Sequence, residues 1–347
     1  MRAEVETLGA GDARWDELVD ASPTPDVYYR PGYCAAYEAA GHGRLVGVET
    51  AGALFPLLLR PLPFGEESLD AATPYGYGGI LRLGRDTSVT GPGPATDLHQ
   101  LRDWCVTNGV VSCLLRLHPL LGGSEQLSPS DEAEVEIREY GPTTAVDPRR
   151  IDEATGRLGG MSKGRKADLT IARRELQLDW AAGAEALERF RAIYDGTMRR
   201  LGADEFYLFP AAYYHALAEG LGERLGVALA LHGDVPVGGA LFLADRRFAH
   251  YHLSGTTDAG RELKAGTLLV HAGAEWARER GCELLHLGGG NSGTHPLFAF
   301  KKSFGGETFT YSFATLVADR ERYDALVARR SEEPEPPRPG FFPAYRA

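Results

Sequence analysis

A basic and aromatic segment near the carboxyl end of the chain has the residue types that suit a phosphate lying beside a flat ring. Phe300, Lys301, Lys302 and Phe304 combine two ammonium groups with two apolar rings. The segment follows a predicted buried strand, residues 284–287, and three adjacent glycines that are typical of a sharp turn or a close approach to a ligand. The alternative is a strand-end turn followed by an ordinary edge segment.

A glycine-bounded stretch, residues 255–266, lies between a predicted strand and a predicted helix and carries two cations, Arg261 and Lys264. A turn that leads into a helix directs backbone N–H groups at an anion, and the helix dipole adds to the attraction. Such a layout suits the pyrophosphate of coenzyme A or the phosphates of an RNA end. A surface loop with incidental charges is the alternative interpretation.

A His-Tyr-His triplet alternates along a predicted strand, so we expect His250 and His252 on one face and Tyr251 on the other. A histidine that faces a cleft can orient an amine or accept its proton, and we single out His252 for this role. A structural histidine held by hydrogen bonds is the alternative for each of the two. Tyr251 is a candidate for substrate binding.

Three further tyrosines and one arginine are also candidate substrate-binding residues. Tyr75, Tyr77 and Tyr207 can donate hydroxyl groups from a pocket wall. Arg116 follows an apolar strand, where a guanidinium is costly to bury unless it meets an anion or a carboxylate. We therefore expect Arg116 to contact a ligand or to form an internal ion pair.

The strongest local charge lies on a predicted helix near the middle of the chain, at residues 161–175. Between positions 157 and 174, six basic residues and one acid, Asp168, give a net local charge of +5. The basic residues are Arg157, Lys163, Arg165, Lys166, Arg173 and Arg174. The pattern indicates a phosphate-binding surface or, alternatively, a solvated helix face with its counter-charges elsewhere.

The composition argues against several classes of function. The net charge of −11 disfavours broad, sequence-independent nucleic-acid binding, so a polyanion must bind to a local patch. The four cysteines show neither metal-ligand spacing nor a disulfide pattern, and we expect no metal site. No apolar run approaches the ~20 residues of a membrane span, and the acidic N-terminus is unlike a signal peptide, which favours a cytoplasmic protein.

The two halves of the chain share one order of predicted elements. Each has a hairpin with a glycine turn, at residues 50–52 in the first half and 233–234 in the second. A further strand, a helix with a tryptophan and a buried strand that ends in histidine follow in each half. Apolar spacing in the second half also predicts an amphipathic helix at residues 184–201, which ends at Gly202. The segments WCVTNGVVSCLLRLH and WARERGCELLHL align without a gap up to the histidine. We therefore predict a duplicated α/β unit, with one domain at residues 1–150 and a second at 151–330. Residues 331–347 are predicted to be a proline-rich C-terminal extension that runs over the surface.

An ordered set of segments resembles the Fem-type branch of the GNAT acyltransferase superfamily over about residues 3–345. The segments are PYGYGG, RLHPL, MSKGRKADLTIARRE, YHLSGT, LGGG and FAFKKSFGG. The resemblance implies an α/β fold with two tandem GNAT-like domains, each with a mixed, mostly antiparallel central sheet flanked by helices.

The resemblance also implies an activity, the transfer of an aminoacyl group from aminoacyl-tRNA to an amine in cell-wall precursors or peptidyl antibiotics. More distant members resemble acyl-CoA-dependent N-acyltransferases, and a non-catalytic binding protein is a third hypothesis. Attack of an amine on an activated ester needs positioning, a stabilised oxyanion and a deprotonated amine, but no serine or cysteine nucleophile. We therefore expect aminoacyl-tRNA as a co-substrate and no cofactor. In the N-acyltransferase hypothesis, acyl-CoA takes the place of aminoacyl-tRNA. The oligomeric state stays open.

The resemblance assigns roles to particular residues. It places Lys301 and, with it, Phe300 at the acceptor end of the tRNA, and it gives phosphate contacts to Lys163, to Arg165 or to both. Arg261, Lys264 and Lys302 are the further candidates for carrier phosphates. This chain has Tyr75-Gly76-Tyr77-Gly78 where the cell-wall enzymes have Arg-Gly-Pro, and residues 175–185 leave no room for a coiled-coil arm. Both departures favour a smaller acceptor, such as a secondary-metabolite amine.

Overall fold

The chain forms two compact units, and the computed structural model describes residues 5–65, 67–84, 94–127, 135–290, 294–334 and 337–347 of it. The first unit comprises Met1–Tyr140 together with Tyr311–Ala347, and the second comprises Gly141–Thr310. The chain passes from one unit to the other inside two long strands, β7 (Val135–Val146) and β15 (Glu307–Val317). The first unit is therefore made of two separate segments of the chain. The division at residues 150 and 330 follows the related halves of the sequence instead, and it stays a prediction.

The first unit contains most of the N-terminal elements. Its complete strands are β1 (Glu6–Leu8), β2 (Arg44–Glu49), β3 (Ala53–Pro61), β4 (Leu69–Ala72), β5 (Leu81–Arg82) and β6 (Val110–Arg116). Its helices are α1 (Ala13–Ala21), α2 (Pro31–Ala39), α3 (Pro94–Thr107) and α10 (Arg320–Arg330).

The sheet of the first unit has the strand order β1-β2-β3-β4-β6-β15, and β5 pairs with β3. All neighbours along this order are antiparallel except β4 and β6, which are parallel and are connected through α3. Helix α3 buries Leu98, Leu101 and Trp104 against the sheet. The Trp104 indole N–H donates to the Thr7 hydroxyl at 2.8 Å, so the polar atom of this large ring is satisfied.

The C-terminal residues pack against the first unit, although the sequence predicted a segment that runs extended over the surface. Tyr345 is 1% exposed and lies in an apolar cluster with Val111, Val317 and Tyr323. Its hydroxyl is 2.8 Å from the Ser112 hydroxyl and donates to the Asp70 carboxylate at 3.2 Å. The segment is held because one aromatic side chain fills a cavity and its polar atom finds buried partners.

The second unit contains the elements from the middle of the chain. Its strands, apart from its share of β7 and β15, are β8 (Ile151–Asp152), β9 (Arg157–Leu158), β10 (Gln177–Ala181), β11 (Leu225–His232), β12 (Val235–Ala244), β13 (Phe248–Thr256) and β14 (Leu284–Gly289). Its helices are α4 (Lys163–Glu175), α5 (Gly183–Leu201), α6 (Ala211–Leu221), α7 (Asp258–Glu262), α8 (Ala265–Glu279) and α9 (Pro296–Lys302).

The sheet of the second unit has the order β7-β14-β13-β12-β11-β10. Its neighbours are antiparallel except β13 and β14, which are parallel and are connected through α7 and α8. Helix α8 lies directly on the sheet, because a Cβ at Gly273 would come within 2.0 Å of the Phe242 ring. Its Leu269 and Trp276 are buried in the same core.

Both units therefore have one parallel strand pair, connected through a tryptophan-bearing helix, in an otherwise antiparallel sheet. This confirms the predicted α/β fold with two tandem domains, each built on a mixed, mostly antiparallel sheet flanked by helices. The predicted hairpin turns at residues 50–52 and 233–234 are also confirmed, as is the end of α5 at Gly202, which has a left-handed φ of 60°.

Four helices were not predicted. Helices α7 and α9 have only five and seven residues, too few for a helical period to be recognised in the sequence. Helix α6 is mostly apolar or aromatic, and α10 is mostly charged, so neither shows a clear amphipathic pattern. Among the described residues, none of the helices combines the length and the apolar composition that a membrane span requires.

Candidate functional site

Helix α9 carries the predicted pair Phe300 and Lys301. The helix starts at Pro296, and the His295 ring accepts a hydrogen bond from the Leu297 N–H at 3.2 Å. Lys301 is only 8% exposed, and its ammonium donates to the Gly289 carbonyl, at the end of β14, at 3.0 Å. Burial lowers the pKa of Lys301 to about 8, because removal from water disfavours the charged form.

Lys302, the next residue, lies at the surface and bonds to its own chain. Its ammonium donates to the Gly306 carbonyl at 2.7 Å and to the Thr308 hydroxyl at 2.5 Å. These bonds tie α9 to the start of β15. A phosphate contact from Lys302 stays a prediction, and it would compete with both bonds.

Phe300 packs between α8 and α4. A Cβ at Gly266 would lie 3.6 Å from the Phe300 ring, an ordinary contact distance, so the ring lies directly beside the start of α8. The Arg165 guanidinium lies over the same ring, 5.0 Å from its centroid. The Phe304 ring meets Phe300 edge to face at 5.3 Å.

Arg165 is held in place by three neighbours. Its guanidinium donates to the Thr267 hydroxyl at 3.0 Å, pairs with Asp168 at 3.0 Å and covers Phe300. The sequence assigned Arg165 to a carrier phosphate. These partners instead use several of the guanidinium N–H groups and direct the guanidinium toward Phe300. Arg165 is therefore better placed to hold the Phe300 ring.

The start of α4 is fixed directly against the end of α9. The Ser162 N–H donates to the Ser303 carbonyl at 2.9 Å, and the Ser162 hydroxyl caps α4 by accepting from the Arg165 N–H at 3.3 Å. Gly160 and Gly305 touch backbone to backbone, since a Cβ at Gly305 would lie 2.3 Å from Gly160. The basic helix therefore begins beside the Phe300–Lys301 pair.

The first turn of α4 has three cations and no acid, at Lys163, Arg165 and Lys166. A helix N-terminus is its positive end, so each exposed cation there is disfavoured by about 0.3–1 kcal/mol. Lys163 and Lys166 are exposed, and no described carboxylate pairs with either of them. An arrangement that opposes the helix dipole is favourable when an anion is bound there.

The stretch from Thr257 to Gly266 contains a short helix, α7, rather than a single turn. Arg261, on α7, pairs with Asp258 at 2.8 Å. Lys264 precedes α8 in a left-handed conformation, with φ 64°, and α8 has no side-chain cap. Of the two predicted cations, Lys264 is therefore the one placed beside uncapped backbone N–H groups.

His252 lies at an irregularity of β13, where the register with β12 shifts between Leu241 and Phe242. Its Nε2 is 2.8 Å from the Tyr213 hydroxyl. Burial, with a smaller effect of nearby His250, lowers the pKa of His252 to about 3. A histidine with this pKa holds an accepted proton weakly, so the geometry favours an orienting role over that of a general base.

The other tyrosines predicted in the second unit have structural surroundings. Tyr251 packs against Phe242 at 5.5 Å, and burial raises the pKa of its hydroxyl to about 12. Tyr207 ends a short 3₁₀ turn and meets Phe206 edge to face at 5.3 Å. Substrate binding by either tyrosine stays a prediction.

Tyr75, Tyr77 and Arg116 belong to the first unit. The Tyr33 hydroxyl donates to the Tyr75 carbonyl at 2.5 Å, and the Arg116 guanidinium donates to the Thr73 carbonyl at 2.5 Å. The predicted carboxylate partner of Arg116 is not found among the described residues. Its internal partner is a backbone carbonyl, which satisfies one N–H and leaves the charge unmatched.

The structure thus joins Phe300, Lys301, Arg165 and Lys163 in the second unit and places three other candidates in the first. Sequence reasoning missed Thr267, Tyr213 and the Gly289 carbonyl, which act as partners of predicted residues. No local pattern marks them, because Thr267 and Tyr213 lie far along the chain from the groups that they contact, and Gly289 meets Lys301 only through the fold of the intervening segment.

Comparison with known proteins identifies a GNAT domain in one part of the chain. Residues 161–302 match the family model described as acetyltransferase (GNAT) domain, and no curated protein gives a match. The structure is similar to that of FemX, with a TM-score of 0.67, 12% identity and coverage of 92% of this chain and 99% of the other.

Two further solved structures share the fold. L-PGS from Bacillus licheniformis has a TM-score of 0.59 and 13% identity, with coverage of 90% of this chain and 94% of the other. A tandem GNAT protein from the clavulanic acid biosynthesis pathway has a TM-score of 0.51 and 14% identity, with coverage of 91% and 99%. Residues 161–302 thus form a GNAT domain, and the chain as a whole shares the fold of FemX and of a tandem GNAT protein.

Proposed function

We propose that this protein takes an aminoacyl group from aminoacyl-tRNA and transfers it to the amine of a small acceptor, as in amide formation on a peptidyl or secondary-metabolite amine. The observation that carries the proposal is the first turn of α4, where cations oppose the helix dipole directly beside the Phe300–Lys301 pair. The likeness to FemX shows the fold alone, and it is compatible with this proposal.

The reaction places specific demands on Lys301. The acceptor nitrogen attacks the ester carbonyl, the C–N bond forms, the ester C–O bond breaks, and the nitrogen loses a proton while the leaving ribose oxygen gains one. Lys301, with its pKa lowered to about 8, is mostly protonated at pH 7 and gives up a proton more readily than an ordinary lysine. It therefore suits stabilisation of the developing oxyanion or protonation of the leaving oxygen, and no further cofactor is needed.

The carrier phosphates in this proposal are bound by the exposed lysines of α4, Lys163 and Lys166. Arg165 acts as a positioning residue, because its partners fix it over the Phe300 ring. The ring is then available to pack against the terminal base or ribose of the carrier. Phosphate contacts at one end of the helix and a fixed ring beside them would hold a single-stranded RNA end.

A specific observation favours the acyl-CoA alternative. The N-terminus of α8 has no side-chain cap, and Lys264 lies beside it, which suits a pyrophosphate. In this alternative Lys264 and Arg261 bind the carrier, and the lysines of α4 are solvated surface residues.

The test is a transfer assay with total aminoacyl-tRNA and a panel of small amines, and products are detected by mass. We expect an amide product that disappears when ribonuclease is added before the protein. A product that forms equally well after ribonuclease treatment contradicts the proposal. A product that forms instead from acetyl-CoA, and decreases in Lys264→Gln, establishes the alternative.

A matched pair of variants assigns the phosphate contacts. Lys163→Gln and Lys166→Gln remove exposed cations from the first turn of α4. Arg174→Gln removes an equally exposed cation from the last turn, where it pairs with Glu175 at 2.7 Å. We expect the first two variants to raise the KM for aminoacyl-tRNA and the third to leave it unchanged.

A further inference from the structure

Four aromatic rings form a continuous patch on the first unit, which we call the aromatic patch: Tyr77, Tyr140, Tyr311 and Phe313. Tyr77 meets Tyr311 edge to face at 5.1 Å, and Tyr311 meets Tyr140 edge to face at 5.5 Å. Tyr140 also contacts Phe313 at 6.0 Å. The rings come from three separate parts of the sequence, and the fold alone brings them together.

The aromatic patch is partly exposed to solvent, most of all at Tyr140. Tyr140 is 52% exposed, and Tyr77, Tyr311 and Phe313 are each only partly buried. By contrast, Ala314 and Leu316 of the same strand point to the opposite face and are fully buried in the core. Contiguous exposed rings are unfavourable in water, and they commonly mark a surface that binds something.

Arg116 lies at the edge of the aromatic patch. It is the register partner of Phe313 in the antiparallel pair of β6 and β15, so the two side chains are neighbours on one face of the sheet. Its guanidinium is partly buried, and its bond to the Thr73 carbonyl uses one of five N–H groups. No carboxylate among the described residues forms an ion pair with it, in contrast to Arg138, which pairs with Glu136 at 2.7 Å.

We propose that Arg116 and the aromatic patch bind a small molecule, and that this ligand has an anionic group and a flat, ring-bearing body. The guanidinium would bind the anion through its parallel N–H groups, and the rings would pack against the body edge to face. A purely cationic polyamine or an aliphatic amine without an acid group would not satisfy Arg116.

The test measures binding to the full chain by calorimetry, without any acyl donor. The probes are L-phenylalanine, L-phenylalaninamide, L-alanine and phenyl phosphate. We expect L-phenylalanine to bind about tenfold more tightly than its amide, which lacks the anion, and more tightly than L-alanine, which lacks the ring. Phenyl phosphate shows whether a phosphate can replace the carboxylate, and tight binding of either anion supports the shared chemistry.

Three variants assign the contacts. Arg116→Gln can still donate to the Thr73 carbonyl and should abolish the difference between L-phenylalanine and its amide. Tyr311→Leu should abolish the preference for a ring. Arg138→Gln, on the same face but with its charge already paired, should change neither, and thermal unfolding checks that each variant is folded.

The inference is overturned if no probe binds, if the acid and the amide bind equally, or if Arg138→Gln has the same effect as Arg116→Gln. Because no donor is present, these outcomes are independent of the transfer assay. Binding in the expected order with no transfer from aminoacyl-tRNA would reject the proposed function and leave this ligand-binding site standing.

Discussion

Lys301 is a buried ammonium whose described partner is one backbone carbonyl, and this combination costs stability. Its pKa lies near 8 in the folded chain, whereas the ordinary value for lysine is 10.5. The protein thus keeps a group that would be more favourable in water. A residue of this kind is retained for what it does rather than for what it contributes to folding.

Replacement of Lys301 by methionine should therefore separate activity from stability. We expect the transfer rate to fall ~10²-fold or more, because the charge beside the reacting ester is lost. We expect the free energy of unfolding at pH 7 to rise by about 1–2 kcal/mol, because an apolar side chain replaces a buried cation. Urea denaturation and single-turnover kinetics measure the two effects, and a variant that is both active and less stable contradicts this assignment.

The sign of the pH dependence follows from the lowered pKa of Lys301. The unfolded chain binds the proton more tightly than the folded chain, so the stability cost is complete below pH 8 and disappears as the pH rises toward 10.5. The methionine variant should lose its stability advantage over the same range. Denaturation curves at pH 7 and pH 10 test this, and an advantage that persists at pH 10 would mean that packing, not charge, is responsible.

The ionisation of Lys301 should also appear in the rate. As the pH rises through about 8, Lys301 loses its proton, and the rate of the wild type relative to Lys301→Arg should fall. The arginine variant keeps its charge over this pH range. Ionisation of the acceptor amine affects both rates equally, so it cancels in the ratio of the wild-type rate to the variant rate. A ratio that does not change between pH 7 and pH 9 would exclude a role for the Lys301 proton.

Arg165 and Phe300 should act together in the same reaction. Arg165→Lys keeps the charge but loses the planar fork that bonds Thr267 and covers the ring. We expect a lower kcat with little change in salt dependence, and a smaller effect when Phe300 is already alanine. A double-mutant cycle on kcat measures this coupling, with Arg173→Lys on the same helix as the control; additive effects would leave Arg165 as a simple phosphate contact.

Helix α4 differs from an ordinary surface helix in the placement of its charge. The amphipathic face packs Leu169 and Ala172 against the core, while the cations gather at the end where the dipole disfavours them. The backbone contact between Gly160 and Gly305 fixes the N-terminal end of α4 against α9. The element therefore presents charge at a defined position.

Charge removal at this end should change the salt dependence of carrier binding. For the double variant Lys163→Gln and Lys166→Gln, we expect the slope of log K against log salt for aminoacyl-tRNA to fall by about 1.5, or about 0.7 for each lost phosphate contact. Filter binding at salt concentrations between roughly 50 and 200 mM measures this slope. An unchanged slope, matching that of Arg174→Gln, would place the carrier elsewhere.

On the scale of the whole chain, the C-terminal segment is part of the first unit. Tyr345 contacts Tyr323 in α10. Its hydroxyl also contacts Ser112 and Asp70, two buried residues that come far earlier in the sequence. Arg346 pairs with the same Asp70, which also pairs with Arg60 at 2.7 Å. One buried carboxylate thus joins the end of the chain to β3 and β4.

Loss of the Tyr345 hydroxyl should weaken this unit. Tyr345→Phe leaves Ser112 and Asp70 with one partner fewer, and we expect about 1–2 kcal/mol less stability. Tyr345→Ala should cost about 3–4 kcal/mol, since it also empties a buried site. Phe341→Ala, at a residue that is 43% exposed, is the control, and urea denaturation is the measurement. Equal effects of all three changes would mean that the segment is not docked.

The sequence by itself determined the elements whose signals are local. The hairpins at 50–52 and 233–234, helices α3, α5 and α8, and the basic character of α4 follow from apolar periodicity, glycine positions and charge along a short stretch. The order of these elements also indicated the duplication and the family. Such features depend on neighbours within about ten residues, which a sequence displays directly.

Only the tertiary structure decided the environments. Burial of Lys301, the contact of Arg165 with Thr267, the pairing of His252 with Tyr213, and the aromatic patch all join residues that are distant along the chain. A pKa or an ion pair depends on what lies within a few ångströms in space, and no local pattern encodes that distance. The sequence therefore identified residue types that could take part in chemistry, whereas the role of each residue became clear only from its surroundings in the folded chain.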